Sequence, residues 1–274
     1  MPSTMLSSKT SKVYTTAIDR MGDRPAAEAV AWIMSQEWSD SYKKVYLSAL
    51  KHRETAAGRT PPALITDTIK KIALNVNVKE KAQKLTAKES EKYLPWEDLV
   101  KARESLKATG GMDYLLASLY TMTAPVRNDY ANMMILHKTP TKAQIAKHKA
   151  DGHNLCVLLK KSGYFLFLNY KTAKTYGDVK LKIPKQLYDV IIQATGGTLG
   201  DRTMLLNGMT EAYTGIKLAR IFRSATGKDV TINILRHSYV THMRKGEMPI
   251  AKKEELARHM MHSPYEGELY IKNQ

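Results

Sequence analysis

The residues best suited to chemistry gather in the second half of the chain. TINILRHSYVTHM carries Arg236 with His237 directly after it, and ELARHMMHSPYEGELYIK carries His259, His262 and, eight positions beyond His262, Tyr270. Upstream, TAPVRNDYANMMI places Arg127 just before Asp129, and KTAKTYG offers Lys171 and Lys174, each followed by Thr. A guanidinium keeps its charge and binds two anionic oxygens at once. A phenol attacks an electrophile once neighbouring cations favour loss of its proton, which an isolated tyrosine releases only at a pH of about 10. Plainer roles exist for each residue. Arg127 and Asp129 suit a structural ion pair, His237 suits packing or helix support, and a lone tyrosine near a chain end is commonly a surface or core aromatic. His242, His259 and His262 raise the question of a metal site, but histidines in helix-rich, Lys-rich surroundings without paired carboxylates make a poor cation set, and no metal is expected.

The elements that must position these residues read mainly as helices. Pro25 suits the start of AAEAVAWIMSQ, and Ser39 or Ser41 suits the cap of YKKVYLSALKHRE, where Tyr42, Val45, Tyr46, Ala49 and Leu50 recur at helical spacing. Further helical patterns lie in LITDTIKKIALNV and KEKAQKL, after a Ser/Thr/Lys tail at the N-terminus. The polar stretch TAKESEKYLPWED reads as a linker, which sets a domain boundary near residue 90. Helices are expected at about 96–107 and 112–123, then a basic, turn-rich stretch, HKTPTKAQIAKHKADGHN. Strand-like runs follow in LCVLLKK, YFLFLNY and VKLKIP, forming a small antiparallel sheet, and helices resume from Pro184 with breaks at Gly196, Gly197 and Gly227. The fold class is therefore mainly α with a small antiparallel β-sheet (α+β), in two domains, 1–90 and 91–274.

Composition narrows the partner. The chain has 274 residues, 43 Lys and Arg against 26 Asp and Glu, and a formal net charge of +17. Such an excess calls for a polyanion. There is no apolar run of the roughly 20 residues that a membrane span needs, and the N-terminus MPSTMLSSKTSK has no apolar signal-peptide core, so an intracellular protein that does not engage membrane is expected. The single cysteine, Cys156, excludes an internal disulfide and a cysteine-cluster metal site.

Together the Arg-His pair of TINILRHSYVTHM, the later His-Ser and terminal Tyr, the arginine of TAPVRNDYANMMI and the Lys-bearing turn, in that family's order, resemble the tyrosine recombinases (phage-type integrases). The resemblance covers nearly the whole chain, with the helical first half similar to the family's core-binding domain and the second half to its catalytic domain. It implies that Arg127 and Arg236 clamp the scissile phosphate, that Lys171 (or Lys174) protonates the leaving 5′ oxygen, and that His262 assists. Tyr270, favoured over Tyr265 by its spacing from His262, would be the nucleophile that forms a 3′-phosphotyrosyl bond. Where the family usually has histidine this chain has Asn233, which can donate a hydrogen bond to phosphate but cannot move a proton near neutral pH. Implied too are double-stranded DNA as partner, a tetramer assembled on DNA from a free monomer, no need for metal, ATP or another cofactor, and an origin in a virus or mobile element. The expected location is wherever the DNA lies: host nucleus, viral factory or bacterial cytoplasm. With only IKNQ after Tyr270, the segment is expected to be mobile and to hold Tyr270 away from the arginines until DNA binds. The alternatives are a type IB topoisomerase-like relaxing enzyme and a non-catalytic DNA-binding protein of the same fold.

Overall fold

The computed structural model describes residues 8–196, 203–244 and 248–272, and the chain divides into two compact units, Met1–Ala82 and Gln83–Gln274. The expected boundary near residue 90 falls eight residues inside the second unit, within a short helix. Gly197 and the last two residues, Asn273 and Gln274, lie outside the described residues.

The first unit consists of α1 (Ser8–Met21), α2 (Ala26–Ser35), α3 (Asp40–Ala56) and α4 (Ala63–Lys81). The tail expected at the N-terminus turns helical from Ser8, and LITDTIKKIALNV and KEK merge into the single helix α4. Ser39 caps α3 by accepting from the Tyr42 amide. The core is Met21, Ile33, Tyr46, Leu47, Leu50, Ile65 and Ile72. Tyr42 stays outside it and packs on Trp38 and Tyr46.

The second unit runs α5 (Ala87–Lys92), α6 (Trp96–Ser105), α7 (Gly111–Thr121), β1 (Met133–Leu136), α8 (Lys142–Ala150), β2 (Asn154–Leu159), β3 (Ser162–Phe167), α9 (Ala173–Tyr176), β4 (Val179–Lys182), α10 (Lys185–Ala194), α11 (Glu211–Thr226), α12 (Ile232–Met243), α13 (Ile250–His259) and α14 (Pro264–Tyr270). The linker stretch contains α5, closed by a capping box between Thr86 and Glu89. The α+β class holds, but the sheet is mixed: β2, β3 and β4 pair antiparallel as expected, and β1 adds to β2 in parallel. A parallel pair needs a crossover, and α8 supplies it. That helix replaces the expected turn-rich stretch, nucleated by a second capping box between Thr141 and Gln144. One sheet face packs Met133, Ile135, Cys156, Phe165 and Phe167 against α6, α7, α10 and α11, and the other holds Leu136, Leu155, Val157 and Leu168. Among the described residues no helix is long and apolar enough to cross a membrane.

Candidate active site

Arg236 lies on α12, whose start is fixed by Thr231 accepting from the Ile234 amide. Five residues into the helix it is 1% exposed, among the largest fully buried side chains of the chain. Its Nη1 donates to the carbonyl of Pro125 at 2.8 Å and that of Met260 at 3.4 Å. Nε and Nη2 are buried without an acceptor. Burial lowers the pKa of this guanidinium, and the neighbouring Arg127 lowers it further, while Tyr270 and Asp129 favour its charge. The pocket therefore holds a cation with two buried nitrogens that lack an acceptor, a state that an oxyanion would relieve.

Pro125 begins the segment that carries Arg127. Tyr120 at the end of α7 donates its buried hydroxyl to the Arg127 carbonyl at 2.7 Å. Asp129 does not pair with the guanidinium as its main partner; its carboxylate accepts from the Arg127 backbone amide at 3.1 Å, while Nη2 of Arg127 stands 4.0 Å from Glu266. Burial pushes the Asp129 carboxyl up to about 6, against the pull of both arginines. Asn154, the first residue of β2 and 1% exposed, ties this segment to the next one. Its Nδ2 donates to the carbonyls of Asp129 and Asn169, and its Oδ1 accepts from the amides of Leu168 and Asn169. Beyond Asn169 comes the turn that bears Lys171 and, in α9, Lys174; both are exposed. Between them Thr172 donates to the Met261 carbonyl at 2.9 Å, which brings the turn alongside His262.

His262 is placed by backbone geometry. α13 ends with the Met261 amide bonding the Arg258 carbonyl and the His262 amide bonding that of Ala257, a Schellman closure. Met261 takes the left-handed conformation that glycine usually supplies there, with φ of 55°. His262 is 3% exposed, and its Nδ1 meets the Ser263 carbonyl at 2.8 Å. A carbonyl only accepts, so Nδ1 carries the proton and the buried Nε2, which has no partner, presents a lone pair. Burial, then the charges of Arg236 and Arg127, push this imidazole down to about 4.

Ser263 caps α14 by accepting from the Glu266 amide, with Pro264 in its first turn. Tyr270 ends this helix. Its ring lies 4.6 Å from the Arg236 guanidinium carbon, stacks on His262 at 5.5 Å and 22°, and touches His237 at 4.9 Å. The expectation that Tyr270 stands away from the arginines without DNA is therefore wrong. A cation–π contact, one stacked imidazole and one tilted one hold it in the pocket. Tyr265 is 58% exposed, and no contact places it at the arginines. Gly267 permits the approach of α14: a Cβ there would lie 3.2 Å from Cε1 of His262.

Arg127, Arg236, His262 and Tyr270 thus lie in one neighbourhood, with the Lys171 turn anchored beside it. Asn233 is exposed on α12, and its Nδ2 faces Nε2 of His237 at 3.2 Å. Sequence reasoning passed over Asn154 and gave His237 only a packing role; the sole advance signal for Asn154 is a polar residue opening an apolar strand. Among the described residues no cluster of three or more His, Cys, Asp or Glu could hold a metal.

No protein-family model matches the chain, and no curated protein matches it in sequence. Among solved structures the chain is similar to one described as the crystal structure of XerA recombinase. The two are 13% identical, the match covers 98% of this chain and 88% of that one, and the TM-score is 0.46.

Proposed function

We propose that this chain cleaves and rejoins DNA strands through a 3′-phosphotyrosyl intermediate at Tyr270, as a site-specific recombinase. The observation that carries the reading is the packing of the Tyr270 ring on a fully buried Arg236 whose Nε and Nη2 lack acceptors. In this reading a scissile phosphate enters between Arg236 and Arg127, which neutralise its non-bridging oxygens. The Tyr270 hydroxyl attacks phosphorus, the 5′ oxygen leaves, and Lys171 protonates it. The phenol proton goes to the free Nε2 of His262, whose affinity for it rises as the bound phosphate offsets the two arginine charges. Rejoining reverses these steps. The phosphotyrosyl bond conserves the energy of the broken diester, so neither metal nor ATP takes part. The charge of +17 supplies the phosphate contacts that hold double-stranded DNA. Assembly into a tetramer on DNA belongs to the same proposal, and light scattering with and without a cognate duplex tests it.

The test of the chemistry is covalent trapping on a nicked suicide substrate followed by peptide mapping. The adduct is expected on the peptide carrying Tyr270 and is abolished by Tyr270→Phe, which removes only the hydroxyl. An adduct on Tyr265, or one that survives Tyr270→Phe, overturns the assignment. Lys171→Ala is expected to slow cleavage and to be rescued by a 5′-bridging phosphorothiolate, whose sulfur leaves unprotonated; rescue of Lys174→Ala alone moves the role to Lys174. Relaxation of a plain supercoiled plasmid, without exchange between sites, would favour a topoisomerase instead.

A further inference from the structure

Behind Tyr270 lies a polar chain that the chemistry above does not use. His237 is 6% exposed, and its Nδ1 meets the backbone carbonyl of Tyr270 at 2.9 Å. That carbonyl can only accept, so Nδ1 carries the proton; in a neutral ring Nε2 is then an acceptor. Nδ2 of Asn233, one turn earlier on α12, faces Nε2 at 3.2 Å with the donor required. The ring is held neutral: burial pushes it down to about 4, helped by Lys272 and Arg236, against the hydrogen bond to the Tyr270 carbonyl and the charge of Glu89. Glu89 Oε1 stands 3.7 Å from the same Nε2, so it competes with Asn233 for the ring as an acceptor that the imidazole can satisfy together with the Tyr270 carbonyl only when both nitrogens are protonated.

We propose that Asn233 is a positioning residue: through His237 it holds the backbone carbonyl of Tyr270 and so sets the approach of the phenol to the phosphate. The proposal rests on Tyr270 being the nucleophile. Asn233 fixes the His237 tautomer by donating to Nε2, which leaves Nδ1–H for the end of α14. A histidine or a carboxylate at position 233 does not do this unconditionally. A carboxylate cannot donate, and an imidazole donates only in one tautomer. The amide donates at every pH, so the departure at position 233 keeps the latch on α14 closed without reference to protonation.

Two variants of the full chain test this, each read by His237 side-chain nitrogen resonances without DNA and by single-turnover cleavage with a separate measurement of DNA affinity. Asn233→Ala is expected to shift the His237 Nε2 resonance and to slow cleavage about three- to tenfold, the worth of one hydrogen bond, with DNA affinity unchanged. Asn233→Asp is expected to raise the His237 pKa, because the new carboxylate accepts only from an Nε2–H, which the ring offers alongside Nδ1–H only when doubly protonated, and to add to the pH profile of cleavage a step that follows the His237 titration. Unchanged His237 resonances in both variants would overturn the proposal. So would a loss of DNA affinity that accounts for the loss of rate, since Asn233 would then be a phosphate anchor. If the unaltered chain forms no adduct at Tyr270, the proposed function fails, while the resonances still decide whether Asn233 governs His237.

Discussion

Replacing Arg236 by Met separates what the site does for the fold from what it does for DNA. The unbranched apolar side chain keeps most of the packing of the arginine stem and removes the charge. Two terms then oppose each other. The carbonyls of Pro125 and Met260 lose the Nη1 donor, and leaving such buried acceptors unpaired costs about 1–3 kcal/mol. Against this, a cation buried to 1% exposure, with Nε and Nη2 lacking acceptors and its pKa lowered by burial, is removed. Relief of such a charge is worth several kcal/mol, and apolar replacement of buried ionic groups is often neutral or stabilising. Arg236→Met is therefore expected to be about as stable as the unaltered protein, or more so, in urea denaturation. Its cleavage rate is expected to fall by about a hundredfold to a thousandfold, the loss from removing one preorganised donor to a developing oxyanion. Destabilisation by more than about 3 kcal/mol, with activity falling only in step with the folded fraction, would refute the reasoning and make Arg236 a structural residue.

Acid is expected to weaken the fold through its buried histidines. His237 and His262 titrate near 4 in the fold against 6.5 in the unfolded chain, so stability present above pH 6.5 is lost as pH falls toward 4; Asp129, raised from 3.8 to about 6, works the other way. Unfolding near pH 5 should then take up about one proton, a slope of about 1.4 kcal/mol per pH unit, and Asp129→Asn should steepen it; urea midpoints that rise on acidification would contradict this. Gly267→Ala is expected to change stability little, since a helix-propensity gain of up to about 1 kcal/mol is set against the crowding of a methyl 3.2 Å from buried His262, yet to slow cleavage because that methyl displaces the imidazole. Equal loss of both in melting and cleavage assays would show that the close approach is not functional. DNA affinity is expected to fall steeply with salt, about 0.9 log units per log unit of salt for each phosphate contacted, and a flat titration would speak against a phosphate-clamping surface.

Much of this was legible before the fold was known, because it depends on local signals. Pro184 and Gly227 bracket helices as expected, and β2 to β4 announce themselves as apolar runs with polar turns. β1 was hidden because Met133–Leu136 is buried throughout and continues the arginine segment without alternation, so no period marks it as a strand. α8 was missed because its apolar residues gather on no face and a lysine-rich surface masks its capping box. The site residues were legible by type and order, but their mutual support was not. His237 meets Tyr270 across 33 residues, and Asn154 joins Asp129 to Asn169 across two further segments; neither contact leaves a trace in local spacing. The docking of Tyr270 was misjudged for the same reason: proximity to a chain end suggests freedom, whereas cation–π contact and imidazole stacking are invisible to sequence.

The four hydrogen bonds of Asn154 act as a rivet through three layers of chain. The segment that presents Arg127 and the first residues after β3 are clinched to one buried amide, so they must travel together. Past Asn169 the hold passes to hydroxyls, Tyr170 on the Gly177 carbonyl and Thr172 on that of Met261, so the lysine turn is fastened to the end of α13 and the arginine to the rivet. A residue inserted after Asn169 would therefore loosen the lysine turn and spare the arginine, whereas one inserted just before it would pull the rivet and unseat the arginine.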